Sequence, residues 1–309
     1  MKRIVSLLPA ATEIAAALGL MEQIVAVSHE CDFPTEASKR PRVTYCPVHN
    51  TGLMSREVDE WVRRALHENG TLYVIDEPLL RELRPDVILT QKLCDVCAVG
   101  YGTVARLAEI LPGPPQVVNL EPSSVSDIFD DIRRVAKVCD VPERAEGLIA
   151  NLSERVEDVR QRAARIPDRP RCFLMEWVDP PFCSGHWVPE LVEIAGGYDP
   201  LGRKHQPSVQ IEWQEVLDAR PDIIVLAPCG YDINRARRDY EILRGFPDFD
   251  SLPAARRGEI YLVAASAYFA RPGPRIVDSV EILAGIVHPN EFPEFVSRGS
   301  DDRRVVRVG

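Results

Sequence analysis

The sequence predicts an α/β protein with two lobes, each built on a mostly parallel sheet that is flanked by helices. The segment 83–90, LRPDVILT, returns as the segment 219–227, ARPDIIVLA. In both copies a helical stretch stops before a proline, because the residue before proline is pushed out of the α region, and a β-branched run follows. The length of 309 residues also fits two domains, at roughly 100–200 residues each.

Strands and helices alternate through the first lobe, which we place at residues 1–122. The predicted strands cover residues 4–8, 24–28, 72–75, 87–90 and 116–119. The helices between them cover residues 11–18, 55–68, 78–83 and 102–111. Such alternation is typical of a parallel sheet covered by helices.

Two helices are predicted between the lobes, in the linking segment 123–168. The first covers residues 125–138, and the second begins at Pro142 and runs to about Ile166, which makes it roughly 35 Å long at 1.5 Å per residue. Its apolar stripe suits either an ordinary surface helix or a rigid spine that joins the lobes. The second lobe follows at residues 169–288 and starts with a strand at 172–177. The tail, 289–309, is polar and rich in turn residues, so we expect it to be peripheral.

The charge balance excludes some partners. Acidic residues outnumber basic ones by 47 to 37, and the net charge is -10. Nucleic acids and anionic membranes select clustered Lys and Arg, so we expect neither as a partner. No apolar run approaches the ~20 residues that span a bilayer. We expect a monomer.

The N-terminus resembles a secretory signal, but Glu13 interrupts its apolar run, so we interpret it as mature structure. Eight cysteines are scattered along the chain. They form no dense disulfide framework and favour a reducing compartment. We therefore expect a cytoplasmic protein. The alternative is a periplasmic or cell-surface protein whose leader has been trimmed.

The loops that follow the predicted strands carry the residues of chemical interest. Open α/β sheets bind ligands at the carboxyl ends of their strands. Thiols, imidazoles and aromatic rings meet there, which indicates a pocket for a large flat or metal-bearing ligand. The candidate ligand-binding residues are Pro9, Ala10, His29, Cys31, Tyr45, Cys94, Cys97, Phe182, Cys183, His186, Trp187, Tyr231, Tyr268, Phe269, Arg271 and Arg275.

Cys94 and Cys97 form a C-x-x-C pair, which is half of a zinc site. A structural zinc normally takes four ligands, and His29 with Cys31 would complete the set at the same sheet edge. The alternatives are buried thiols, a contact with the ligand, and redox chemistry.

Several segments together resemble a known family. They are IVSLLPAATE at 4–13, DFP at 32–34, PDVI at 85–88, PPF-x-SG at 180–185 and F-x-x-x-x-PR at 269–275. These segments resemble the substrate-binding proteins of bacterial ABC importers for cobalamin and iron-siderophore complexes, and most closely the cobalamin-binding branch. The similarity covers approximately residues 3–287. It implies two α/β lobes joined by one rigid helix, as in helical-backbone periplasmic binding proteins, a ligand in the inter-lobe cleft, and no catalysis or required cofactor.

The chain also departs from that family. The resemblance implies docking on an ABC permease through an acidic residue on each lobe. At the position that aligns in the second lobe this chain has Gln214, with Glu212 and Glu215 nearby. The segment 94–100 has neither a docking glutamate nor the ring-stacking tryptophan of the cobalamin branch. Candidates for the missing stacking surface are Tyr45, Trp187, Tyr231, Tyr268 and Phe269.

Catalytic motifs are missing from the sequence. There is no G-x-S-x-G elbow, phosphate-binding G-x-x-x-x-G-K loop or dinucleotide-binding G-x-G-x-x-G. We expect a non-enzymatic binding protein for a corrinoid or a related chelated-metal compound, acting with an importer or in intracellular handling. The alternative is a cytosolic thiol-dependent metal or corrinoid enzyme or sensor that uses Cys94 and Cys97.

Overall fold

A computed structural model describes residues 1–46, 52–69, 71–92, 101–296 and 304–309. The chain divides into two compact units. The first unit contains residues 1–53, 57–122 and 126–150, and the second contains residues 54–56, 123–125 and 151–309. Two short segments from the N-terminal half therefore belong to the second unit.

The strands of the first unit form a parallel sheet and a separate pair. In chain order they are β1 (Ile4–Ser6), β2 (Ile24–Val27), β3 (Thr44–Tyr45), β4 (Val74–Ile75), β5 (Val87–Thr90) and β6 (Gln116–Asn119). The parallel sheet has the order β2-β1-β5-β6, whereas β3 and β4 pair antiparallel. The prediction that residues 72–75 join the parallel sheet is wrong. Val74 is exposed and Ile75 half-buried, whereas strands of a parallel sheet are covered on both faces.

The helices of the first unit cover its sheet, and the last of them continues into the second unit. They are α1 (Pro9–Ala17), α2 (Ser55–Asn69), α3 (Glu77–Leu83), α4 (Tyr101–Glu109), α5 (Val125–Val138) and α6 (Pro142–Ala163). Val5, Ile88, Leu80 and Val104 form the centre of the core, which joins sheet to helices. Helix α6 contributes residues 142–150 to the first unit and 151–163 to the second. Among the described helices, none combines the length and apolar character that crossing a membrane requires.

The second unit has a larger sheet. Its strands are β7 (Cys172–Trp177), β8 (Phe182–Cys183), β9 (Gly185–His186), β10 (Arg203–Lys204), β11 (Ile223–Leu226), β12 (Ile260–Val263) and β13 (Val305–Val308). The sheet has the order β13-β12-β11-β7-β8, and β9 with β10 forms a separate parallel pair. Strands β7, β11 and β12 run parallel, while the outer strands β8 and β13 are antiparallel to their neighbours.

The helices of the second unit follow its strands. They are α7 (Val188–Ile194), α8 (Trp213–Ala219), α9 (Ile233–Leu243), α10 (Pro253–Arg257) and α11 (Ile276–Val287). Phe173, Met175, Ile224 and Leu262 lie at the centre of its core.

The repeated R-P-D motif has the same structure in both units. Helices α3 and α8 end at Arg84 and Arg220, which take left-handed backbone angles, φ 44° and 48°. The proline that follows prevents the helix from continuing. The aspartate then accepts the backbone N–H of an arginine beside the adjacent strand, from Arg3 in the first unit (2.7 Å) and from Arg171 in the second (3.2 Å). The motif thus places strands β5 and β11 in their sheets.

The prediction of a peripheral polar tail is wrong for the last residues of the chain. Val305–Val308 pairs antiparallel with β12, with Ile260 opposite Val308 and Val263 opposite Val305. Three of these four residues are buried. A β-branched run of this kind suits an outer strand, and the polar residues before it masked that signal.

Candidate ligand-binding site

Two loops at the carboxyl ends of β1 and β2 meet in the first unit. Thr12 Oγ1 donates to Ser6 Oγ at 2.8 Å, and Cys31 Sγ lies 3.1 Å from Thr12 Oγ1 and 3.2 Å from Ser28 Oγ. All four side chains are buried, and Cys31 is 0% exposed. This arrangement favours a packing role for the Cys31 thiol over a ligand contact.

His29 follows β2 and is held from two sides. Its Nδ1 lies 2.8 Å from Thr44 Oγ1, and its ring lies 5.5 Å from that of Tyr73. Its Nε2 lies 3.5 Å from Glu30 Oε1. The imidazole is therefore fixed at the edge of the loop. Nearby in the sequence, Pro9 is half-buried and Ala10 is buried at the start of α1.

Tyr45 offers the first unit an accessible ring. Its side chain is 55% exposed and stands opposite Val74, itself 42% exposed, in the β3-β4 pair.

Cys94 and Cys97 lie outside the described residues. Within the described part of the chain, no group of three or more His, Cys, Asp and Glu is placed to hold a metal ion. Metal binding by Cys94, Cys97, Cys31 and His29 stays a prediction.

The second unit presents a set of loops that we call its loop face: residues 179–187, 229–231 and 266–271, which follow β7, β11 and β12. A buried carboxylate organises the first of these loops. Asp199 accepts hydrogen bonds from Ser184 Oγ (2.7 Å) and from the backbone N–H groups of Leu201 (3.1 Å) and Gly202 (3.0 Å). Burial raises the pKa of Asp199 to about 6 despite these donors.

Gly185 is required by close packing in the same loop. A Cβ at this position would lie 2.2 Å from the backbone nitrogen of Ser208. The next residue, His186, has a left-handed backbone with φ 52°. Its N–H donates to the Gln206 carbonyl at 2.6 Å, and its carbonyl accepts from the His205 N–H at 2.9 Å. The P-P-F-x-S-G motif therefore builds a tightly fixed turn.

Trp187 links two loops of the loop face. Its Nε1 donates to the Phe269 carbonyl at 3.1 Å, and its side chain is 6% exposed. Cys183, Tyr231, Phe269 and Arg271 are likewise buried. For these residues the structure favours support of the loops over direct contact with a ligand.

The accessible side chains of the loop face include three rings, besides the exposed Cys229 and the half-buried Asp179. Arg275, which follows the loop face in the sequence, adds a cation. Phe182, His186, Tyr268 and Arg275 are all half-buried. The Arg275 guanidinium lies 5.4 Å from the centre of the Tyr268 ring. Rings and a guanidinium fit a ligand that has a flat face and polar side arms.

A buried polar cluster in the second unit escaped the sequence analysis. Ser55 donates to the Asp239 carboxylate, and both side chains are buried. Burial raises the pKa of Asp239 to about 6. The centre of the Tyr231 ring lies 5.0 Å from that of Trp177 and 3.9 Å from the Arg235 guanidinium carbon, and burial raises the pKa of Tyr231 to about 12. The signal in the sequence that could have revealed this cluster is Asp239, a carboxylate on the apolar stripe of α9.

Two acidic residues near the predicted docking position already have a structural role. Glu212 and Glu215 form a capping box at the start of α8, with the Glu212 N–H donating to Glu215 Oε2 at 2.8 Å. Gln214 donates to Asp218 Oδ1 at 2.9 Å on the same helix. Docking through this region stays a prediction.

Comparison with known sequences places the chain among binding proteins. A family model described as periplasmic binding protein matches residues 4–267. The vitamin B12-binding protein of Vibrio cholerae serotype O1 is 25% identical over 282 residues, which cover 91% of this chain and 87% of that protein.

Solved structures share the fold. The periplasmic vitamin B12 binding protein BtuF of Vibrio cholerae superposes with a TM-score of 0.67 at 23% identity, covering 93% of this chain and 96% of its own. The periplasmic heme-binding protein RhuT from Roseiflexus sp. RS-1 gives a TM-score of 0.70 at 21% identity, with coverage of 94% and 99%. These similarities confirm the predicted fold class.

Proposed function

Because this chain belongs to the periplasmic binding protein family, we propose that it is a substrate-binding protein whose ligand is a corrinoid. Membership of a family of binding proteins confirms the expected non-enzymatic role. The alternative of an enzyme or sensor built on Cys94 and Cys97 gains no support from the family.

The loop face of the second unit is the observation that carries the proposal. Phe182, His186 and Tyr268 are half-buried in the loop face, which also contains the buried Trp187. Large aromatic surfaces with few charges suit a bulky, mostly uncharged ring system. The named relative with 91% coverage of this chain binds vitamin B12, which supports a corrinoid over other flat ligands.

Calorimetry with a panel of metal chelates tests the ligand class. The panel contains cyanocobalamin, aquacobinamide, hemin, ferrichrome and inorganic phosphate as a small-anion control. We expect heat of binding with the corrinoids and none with phosphate. Binding of hemin or ferrichrome, without binding of either corrinoid, would show that the ligand belongs to another class of chelate. The absence of heat with every chelate would contradict the proposal.

The partner also belongs to the proposal. A substrate-binding protein of this family would deliver its ligand to an ABC permease. Co-purification of the chain with a permease from the native cells, in the presence and absence of cyanocobalamin, tests the partner. No ligand-dependent association with any permease would contradict it.

The compartment stays a prediction. The sequence predicts the cytoplasm, and the described cysteines are free thiols, in keeping with a reducing compartment. A protein that serves an importer would instead act outside the cytoplasmic membrane, which is the alternative. Fractionation of the native cells, followed by detection with an antibody, distinguishes the two locations.

A further inference from the structure

His186 differs from three other histidines of this chain in what its ring contacts, and it differs from His67, which is exposed on α2, in being half-buried. His29, His205 and His288 each direct a ring nitrogen at an oxygen, namely Thr44 Oγ1, the Ser123 carbonyl and the Gly196 carbonyl. Among the described residues, no hydrogen bond or ion pair engages the ring of His186. The centre of its ring lies 5.7 Å from that of Trp187.

The backbone holds this residue in a conformation that histidine seldom adopts. A φ of 52° lies in the left-handed region, which is costly for residues with a Cβ. Two backbone hydrogen bonds, to Gln206 and from His205, maintain it. The Cα and Cβ of His186 are therefore fixed in place while the ring remains partly accessible.

The surroundings of the His186 ring favour its neutral form. Burial lowers the pKa of His186 from its ordinary value, and no charged neighbour contributes to the shift. One ring nitrogen of a neutral imidazole carries a free lone pair. Such a nitrogen is a common ligand of transition metals and needs to lose no proton when it binds one.

The position of His186 is next to the accessible rings of the loop face. Trp187, the adjacent residue, is tied through its Nε1 to the Phe269 carbonyl. Tyr268, beside Phe269, is half-buried and carries the Arg275 guanidinium near its ring. A flat chelate that rests on this face would bring its central metal close to an unengaged imidazole.

We infer that His186 is an axial ligand, with one ring nitrogen bound to the metal of the chelate. The inference rests on the proposed function. The imidazole lone pair forms the metal–nitrogen bond as a metal–water bond breaks, and the water leaves. No proton moves and the oxidation state of the metal is unchanged. The site would thus prefer chelates with an exchangeable axial position over those with both axial positions filled.

The variant His186→Asn tests the inference with little disturbance of the backbone. Asparagine tolerates the left-handed region better than most residues and has no imidazole. His205→Asn is the matched control, because His205 has a φ of 60° and its backbone N–H donates to the His186 carbonyl. Aquacobinamide has exchangeable axial water ligands, whereas cyanocobalamin has both axial positions occupied by its cyanide and its own base.

We expect His186→Asn to weaken binding of aquacobinamide by about tenfold or more and to leave cyanocobalamin binding nearly unchanged. The wild-type protein and His205→Asn should shift the visible band of aquacobinamide to longer wavelength, and His186→Asn should not. Equal affinities and identical spectra for wild type and His186→Asn would overturn the inference while leaving the proposed function intact. A wild-type protein that binds no corrinoid would contradict both the proposed function and the inference that rests on it.

Electron paramagnetic resonance supplies a test that does not depend on the folding of a variant. Cob(II)inamide has no nitrogen base of its own, so an axial nitrogen in its bound spectrum comes from the protein. We expect each cobalt line to split into three with ¹⁴N-histidine and into two when the wild-type protein contains ¹⁵N-histidine. Unsplit lines would overturn the inference.

Discussion

Burial, rather than ion pairing, sets the protonation of the aspartates inside the two units. Asp131 illustrates this on α5, where Arg134 donates to one carboxylate oxygen and the side chain is 2% exposed. Burial and the acidic neighbours Asp127 and Asp130 raise its pKa to about 7, against the opposing effect of Arg134. Near neutral pH this residue is therefore partly protonated, unlike an aspartate at the surface.

Asp131→Asn should remove part of the pH dependence of stability. A folded-state pKa raised from 3.8 to about 7 means that the stability contribution is present below about pH 4 and is lost as the pH rises through 7. The loss amounts to at most about 1.4 kcal/mol per pH unit. Denaturant unfolding between pH 5 and 8 should show the variant gaining stability over wild type as the pH rises. Asp168→Asn, at an exposed aspartate that is not among the groups acting on Asp131, is the control. Parallel curves for wild type and Asp131→Asn would contradict the expectation.

Tyr268→Ala should weaken corrinoid binding, because the variant loses an accessible ring on the loop face. We expect roughly a tenfold higher Kd by calorimetry with cyanocobalamin, equivalent to about 1.4 kcal/mol. Tyr198→Ala is the matched control, since Tyr198 is 54% exposed on the same unit and lies outside the loop face. The same affinity in both variants would remove Tyr268 from the site.

At the scale of elements, local patterns were sufficient for most of the fold. The R-P-D motif, with Arg84 and Arg220 in left-handed conformations, marks the entry to β5 and β11 by chemistry that is visible in three consecutive residues. The β3-β4 pair was missed because its pairing depends on residues thirty positions apart, not on periodicity. Asp199 and Asp239 were missed because a buried carboxylate is recognised only by what surrounds it. Cys183 and Trp187 were predicted to contact the ligand, and their burial could not be seen from the sequence.

Gly185→Ala should disrupt the turn that presents His186. The added Cβ would meet the Ser208 backbone nitrogen at 2.2 Å, and backbone atoms yield less readily than the end of a flexible side chain. We expect a loss of about 1–3 kcal/mol in the free energy of unfolding together with weaker corrinoid binding. Gly147→Ala in α6 is the control, because nothing lies within 4 Å of its added Cβ and alanine favours a helix by about 0.5–1 kcal/mol. A fully stable Gly185→Ala would show that the close approach is relieved elsewhere.

For the whole molecule, folding and ligand binding should be linked. Helix α6 is anchored in each unit, through Arg144 to the Leu18 carbonyl (2.9 Å) in the first and through Arg155 to Asp278 and Glu281 (2.6 and 2.8 Å) in the second. The Arg155 cluster is half-buried, so solvent and salt screen the attraction between its charges less than they screen an exposed ion pair. Each unit also has its own core, so a ligand that binds only the folded state adds its binding free energy to that of the two cores.

Thermal unfolding should therefore depend on ligand concentration. A ligand present at a hundredfold excess over its Kd stabilises the folded state by about 2.7 kcal/mol, which should raise the Tm by roughly 5 °C in a chain of this size. Differential scanning calorimetry with increasing cyanocobalamin measures the shift, with inorganic phosphate as the control. A Tm independent of the corrinoid would contradict binding to the folded protein.

Strand β13 has a practical consequence for handling the protein. It occupies the outer edge of the second sheet through its pairing with β12. A truncation before Val305 would leave the backbone groups of β12 open to pairing with strands of other molecules, which is a common route to aggregation. An affinity tag is best attached to the N-terminus, and the last residues should be kept in any shortened version made for crystallisation.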